Sequence, residues 1–337
     1  QTVSTVTYGH LKINDNGYIA TLANNTTVNG NLSVTSGTLS TSASGYDLNV
    51  GGNIVVEGGT LNANYSGTVI IVSGNVSVTS GTFDISNSNA GIDINGNLSI
   101  SGGSFSAPNV ADDTSFKVGG NWQVSSSGTF TPNSGRVVFD ATDTDNTIAT
   151  NSSGTYAFYD IKFSGAGGKW TINTILDVTG NLSIAQGTLD ASGQQINVGG
   201  NWSNSGTFTA GISTVTFVGT NQSILGSTTF YNFIKIESTN NSTDVTLTFD
   251  NTGTQTINGL FKLDGLDDDD RINLRSDSEE NQWSLVCNGT FAIDYVDVQD
   301  SDASGGLTIQ HTNTLNSGNN LNWGFPEDTI PPAAITN

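Results

Sequence analysis

The sequence has no methionine, one cysteine, five prolines, two histidines and only nine lysines and arginines in 337 residues. A lone Cys287 rules out an internal disulfide, and its expected place is a small apolar position in the core. His10 and His311 lie far apart, with no second His or Cys at ligand spacing, which argues against a transition-metal centre and against a Ser-His-Asp relay. Scarce basic residues against 30 Asp and Glu leave a net charge of −21. Nucleic acid and anionic lipid both select for Lys and Arg patches, so neither is expected as a partner. No apolar run approaches the ~20 residues of a membrane span, so no membrane insertion is expected. The missing initiator and the start at Gln1 suggest a mature chain freed of its signal peptide, hence an extracellular or cell-surface location.

What is abundant is glycine, 41 residues of it, together with Ser, Thr, Asn and the β-branched and aromatic residues that fill strands. The arrangement is periodic. A Gly-Asn pair recurs at Gly30-Asn31, Gly52-Asn53, Gly74-Asn75, Gly96-Asn97 and Gly120-Asn121, in steps of 22, 22, 22 and 24 residues, and returns at Gly180-Asn181 and Gly200-Asn201. After the Asn come Leu32, Ile54, Val76, Leu98, Trp122, Leu182 and Trp202, and two residues further Val34, Val56, Val78, Ile100, Val124 and Ile184. Before the Gly stand Val28, Val50, Val72, Ile94 and Val118, preceded at another step of two by Leu48, Ile70, Ile92 and Phe116. Period two marks strands. A Gly-Thr or Gly-Ser turn, as at Gly37, Gly59, Gly81 and Gly103, then leads to Leu39, Leu61, Phe83 and Phe105.

Three short strands per coil, separated by Gly and Asn corners that tolerate φ > 0, describe an all-β fold: a single-stranded right-handed parallel β-helix, or β-solenoid, of about 22 residues per coil. An antiparallel sandwich also has short strands and frequent turns, but it does not need one residue type at one phase every 22 residues. Identical positions then stack ~4.8 Å apart, and Asn31, Asn53, Asn75 and Asn97 are expected to form a side-chain amide ladder. Roughly 15 coils would give a rod on the order of 70 Å long. A longer pattern repeats in the middle of the chain, where Phe158-Tyr159-Asp160 answers to Phe230-Tyr231-Asn232. The expected organisation is a cap or docking segment at residues 1–27, a parallel β-helix over residues 28–324, and a Pro-rich linker at residues 325–337, which hold three of the five prolines.

The Gly-Asn-Leu-Ser-Val and Gly-Gly-Asn-Trp coils resemble the repeat regions of large bacterial secreted β-helix surface proteins and filamentous adhesins, across about residues 28–324. The segment from Ile293 to Gly306, followed by Asn319-Asn320-Leu321-Asn322-Trp323, is similar to the closing coils of such regions. The resemblance implies an exported chain acting as one part of a longer polypeptide or as the ordered core of a fibre.

Polysaccharide lyases and hydrolases also use β-helices, and they need a basic residue beside acidic calcium ligands or clustered carboxylates on one face. Basic residues here do not recur beside acidic clusters except Arg271, so no enzymatic activity is expected. The densest acidic run, Asp267, Asp268, Asp269 and Asp270 with Asp264 upstream, offers oxygen ligands for Ca²⁺. The same run also reads as a solvated corner loop. Asp140, Asp143 and Asp145 form a second acidic loop, and Asp297, Asp300 and Asp302 a third. The five tryptophans would stack on sugars if they faced solvent, but Trp122 and Trp202 occupy the phase of Leu32 and Leu182, which points to the core. Asn-x-Ser/Thr sequons fall mostly on the corner motif itself. The function expected is an extracellular structural or adhesive protein, a rigid surface rod or a filament subunit that self-associates into fibres. The alternative is a carbohydrate-binding or polysaccharide-cleaving β-helix with a glycan or cell-surface ligand.

Overall fold

The computed structural model describes residues 1–42, 44–87, 89–150 and 158–325. Among these residues there are strands, bridges and turns but no helix. Of the expected linker at residues 325–337 only Phe325, which is buried, belongs to the described residues. Contacts divide the chain into two units, Gln1–Asp190 and Ala191–Asn337.

In the first unit two parallel sheets run from coil to coil. One takes Leu11–Leu22, Leu32–Ser40, Ile54–Asn62, Val76–Asp84, Leu98–Ile100 and Trp122–Val124 in order; the other takes Thr26–Val28, Leu48–Val50, Val69–Val72, Gly91–Ile94 and Phe116–Val118. The registers are those the repeat predicts. Leu32 pairs with Ile54, Ile54 with Val76, Val76 with Leu98 and Leu98 with Trp122. Leu48, Ile70, Ile92 and Phe116 form a second column, and Leu39, Leu61, Phe83 and Phe105 a third. Every member of these columns is at most 1% exposed. Each such side chain contributes about 1.5–3 kcal/mol on burial, and only a neighbouring coil can supply its cover.

The three-strand coil expected from sequence holds only in part here. Leu32–Ser40, Ile54–Asn62 and Val76–Asp84 are single nine-residue strands that run through the Gly-Thr turn. Gly37 and Gly81 take left-handed φ values of 69° and 82°, and the register shifts inside these strands. A glycine bulge therefore bends the strand without ending it. From Leu98–Ile100 onward the two halves separate.

The second unit has three parallel sheets. They are built on Trp202–Asn204, Gln222–Leu225, Val245–Phe249 and Ile272–Ser276; on Gln195–Val198, Thr214–Phe217, Asn232–Ile236, Leu260–Asp264 and Thr290–Asp294; and on Thr228–Phe230, Thr254–Ile257 and Trp283–Cys287. Its coils are less even. Trp202 pairs with Ile224, 22 residues on, but Ile224 pairs with Phe249, 25 on, and Phe233 with Phe261, 28 on. The added residues sit in corner loops such as 237–244 and 265–271. Each unit is thus a β-solenoid of stacked parallel coils.

Candidate functional site

The corners carry the polar chemistry of the first unit. Oδ1 of Asn31 accepts the backbone N–H of Asn53 at 2.9 Å, Asn53 that of Asn75 at 2.8 Å, Asn75 that of Asn97 at 2.8 Å, and Asn97 that of Asn121 at 2.7 Å. The expected ladder is present, but it joins side chain to backbone; at the last of these rungs an amide-to-amide bond is added, Asn121 Nδ2 donating to Asn97 Oδ1 at 3.0 Å. A strand leaving a corner has a first N–H with no strand partner, and the carboxamide from the preceding coil satisfies it.

The same oxygens explain the Gly of each pair, which sequence reasoning attributed to positive φ. None of Gly52, Gly74, Gly96 or Gly120 is in the left-handed region. A Cβ at Gly96 or Gly120 would lie 2.5 Å from Oδ1 of Asn75 or Asn97, and Gly52 and Gly74 meet Asn31 and Asn53 in the same way. The rung in one coil thus excludes a side chain from the next. The pattern extends to positions that the Gly-Asn motif does not reveal. Asp160 Oδ1 accepts the N–H of Asn181 at 2.7 Å and crowds Gly180, and Asn232 Oδ1 accepts the N–H of Leu260 at 2.8 Å and crowds Gly259. Asp160 and Asn232 are the residues that the internal repeat pairs, so they share a role as well as a phase.

At the start of the ladder stands His10, which sequence reasoning weighed as a metal ligand and as a relay histidine and set aside in both roles. Its Nδ1 accepts the N–H of Asn31 at 2.9 Å, and its ring occupies the space a Cβ of Gly30 would need. Gly9-His10-Leu11 is therefore a Gly-Asn-Leu corner with imidazole in place of carboxamide, and Leu11 pairs with Leu32. The spacing from His10 to Asn31 was the available signal.

The four aspartates singled out for calcium lie on the corner loop 265–271. Asp267 Oδ1 accepts the N–H of Asp269 at 2.9 Å and of Asp270 at 3.2 Å. Asp268 pairs with Arg271, whose Nη1 also donates to Asn313 O at 2.5 Å and whose guanidinium lies 5.7 Å from the Tyr295 ring centroid. Asp269 is exposed. Asp270 is fully buried; its Oδ1 accepts the N–H of Thr243 at 2.8 Å, and its Oδ2 has no protein partner. Among the described residues no group of three or more His, Cys, Asp and Glu side chains is placed to hold a metal ion.

The other acidic loops are likewise turned toward protein donors. Asp297 pairs with Arg275 at 2.6 Å, Asp300 accepts from Asn319 Nδ2 at 2.7 Å, and Asp302 accepts the N–H of Ser304 at 2.9 Å. Burial, with Asp93 nearby, raises the Asp140 carboxyl above the ordinary range against the pull of Lys117. Asp113 is held below it by hydrogen bonds from Lys162 and Arg136. Cys287 is buried, and desolvation pushes its thiol up to about 12. All five tryptophans have no exposed surface, so none offers a sugar-stacking face. A shallow depression on the first unit is lined by neutral amides and hydroxyls, among them Asn97, Ser99, Asn121, Gln123, Thr147 and Asn173.

Lys235 was legible only as one of the few basic residues. It projects into a column between Phe217 and Leu263 and is 1% exposed. Its ammonium donates to Gly219 O, and to Thr220 O and Gln222 Oε1 at 3.5 Å each. Desolvation lowers it to about 8.

A scan against protein-family models finds no matching family, and searches of curated proteins and of solved structures find no similar chain.

Proposed function

We propose that this chain is a non-enzymatic, extracellular structural or adhesive element, a rigid surface component or a filament subunit, built as a right-handed β-helix of the bacterial surface-protein type. The observation that carries the reading is the stacking of interior columns and corner rungs from coil to coil in the first unit, which commits the Gly, Asn and apolar positions of the repeat to holding one coil on the next. Right-handed coiling is the hand of nearly all parallel crossovers. The outward faces support it as well: Ser33, Val55, Ser77, Ser99 and Gln123 follow one another along one ladder, a small and uncharged surface suited to lateral packing. The net charge of −21 favours cations or neutral glycans over nucleic acid and membranes as partners.

The carbohydrate reading draws on the amide-lined depression around Asn121, since amides and hydroxyls are the groups that hydrogen-bond sugars. Negative-stain electron microscopy of the native material, with and without chelator, together with a glycan array separates the two. Uniform fibres without glycan binding support the structural subunit. Single particles exclude the filament subunit and leave an adhesive surface component or a glycan-acting protein, and cleavage of an arrayed glycan overturns the first reading in favour of the second.

A further inference from the structure

We propose that Asn16-Gly17 is a site of spontaneous modification, at which the Asn16 carboxamide becomes aspartate or isoaspartate through a cyclic imide, while the four other Asn-Gly steps of the chain are protected by their place in the coils. The reaction draws on nothing but water. The glycine backbone nitrogen attacks Cγ of the preceding asparagine and a C–N bond forms. The glycine N–H proton and the carboxamide nitrogen leave together as ammonia, and water then opens the five-membered ring at either carbonyl. The step requires a peptide free to turn its nitrogen toward the side chain, a freedom that glycine has and that a hydrogen bond to a neighbouring coil removes.

Exposure of the asparagine does not separate the five steps, since Asn16, Asn29, Asn95, Asn258 and Asn288 are all exposed. Their glycines do. Gly30 N–H donates to Gly9 O at 2.6 Å, Gly96 N–H to Gly74 O at 3.1 Å and Gly259 N–H to Tyr231 O at 2.7 Å, so each attacking nitrogen is committed to the coil before it. On either side of Gly289 the N–H groups of Asn288 and Thr290 donate to Ile257 O and Gly259 O at 2.8 Å each, and Asn288 Nδ2 donates to Asn258 Oδ1 at 2.9 Å. Asn16-Gly17 lies away from any corner. Asn14 pairs with Ser36 and Ile19 with Thr38, so residues 15–18 stand opposite Gly37 alone and form the crest of a wide bulge in the Leu11–Leu22 strand. One flank of the crest is anchored, with Asp15 Oδ2 accepting from Gln1 Nε2 at 2.9 Å. Gly17 itself is exposed, and a Cβ built on it would meet nothing within 4 Å. Conversion would set a new carboxylate next to Asp15, on a chain already at −21.

Peptide mapping by mass spectrometry, after the full chain has been held at pH 8 with and without unfolding urea, tests this by following the amide-to-acid mass change at each asparagine. In the folded chain Asn16 should convert roughly tenfold faster than Asn29, Asn95, Asn258 or Asn288, about what one backbone hydrogen bond withholds. In urea the four should speed up and most of the difference should vanish, because every step is then an unrestrained Asn-Gly. Folded-state conversion of Asn16 no faster than that of the other four overturns the proposal. A lead of the same size in urea overturns it too, since the neighbouring side chains and not the bulge would then set the rate.

Discussion

A side-chain oxygen lodged where the next coil would carry a Cβ turns the identity of one residue into a requirement on another. Gly74 has Asn53 Oδ1 and the carbonyl of Gly52 within the reach of a methyl group, so Gly74→Ala should destabilise the first unit by about 1–3 kcal/mol through overpacking. Gly67→Ala is the contrast. That glycine has a φ of 84° and open space around it, and the cost should be nearer 1 kcal/mol, from backbone strain alone. Urea midpoints of the two variants measure the difference, and an equal loss would remove the steric account. Asn75→Ala takes the acceptor from the Asn97 N–H and should cost about 1 kcal/mol. Asn75→Asp keeps an oxygen there, as Asp160 does for Asn181, and should be nearly neutral. The Gly-Asn motif was plain in the sequence, but its cause was not. The glycine answers to a contact with a residue on the preceding coil, and periodicity reveals that a position is fixed without revealing what touches it.

Strands show the same division between pattern and partner. The placement of Trp122 and Trp202 in the Leu column was legible because a core column needs only apolar bulk at a fixed phase. Their polar ends were not. Trp202 Nε1 donates to Thr228 Oγ1 at 3.0 Å, whereas Trp122 Nε1 is buried with no partner. Thr228→Val should therefore cost about 1–3 kcal/mol by orphaning an indole N–H, and Trp202→Phe should cost more than Trp122→Phe in thermal unfolding. Lys235 breaks the column pattern outright, although its phase with Phe233 on one strand was a signal. Its folded value of about 8 lies below the ordinary 10.5. Between those pH values the unfolded chain binds the extra proton, so stability rises with pH across that window. The penalty is complete below pH 8, where it amounts to at most about 3 kcal/mol. Lys235→Met should narrow the gap between urea midpoints at pH 7 and pH 10. A gap as wide as that of the wild type would mean that another group titrates.

Across the whole molecule the dominant physical fact is charge, 30 acidic against nine basic residues, and composition alone made that visible. How the acids are used was hidden in corner geometry. Asp267, Asp268 and Asp270 sit in one loop, yet one caps backbone amides, one meets Arg271 and one turns inward. Self-repulsion of a net −21 chain disfavours the compact state and is screened by salt, so raising NaCl should raise the melting temperature. If the aspartates serve their protein partners, CaCl₂ at matched ionic strength should raise it no further, and Asp268→Asn should respond to both salts alike. A calcium-specific rise in the wild type that disappears in Asp268→Asn would place an ion on this loop, drawing the carboxylates away from the donors they now satisfy and toward the unpartnered oxygen of Asp270.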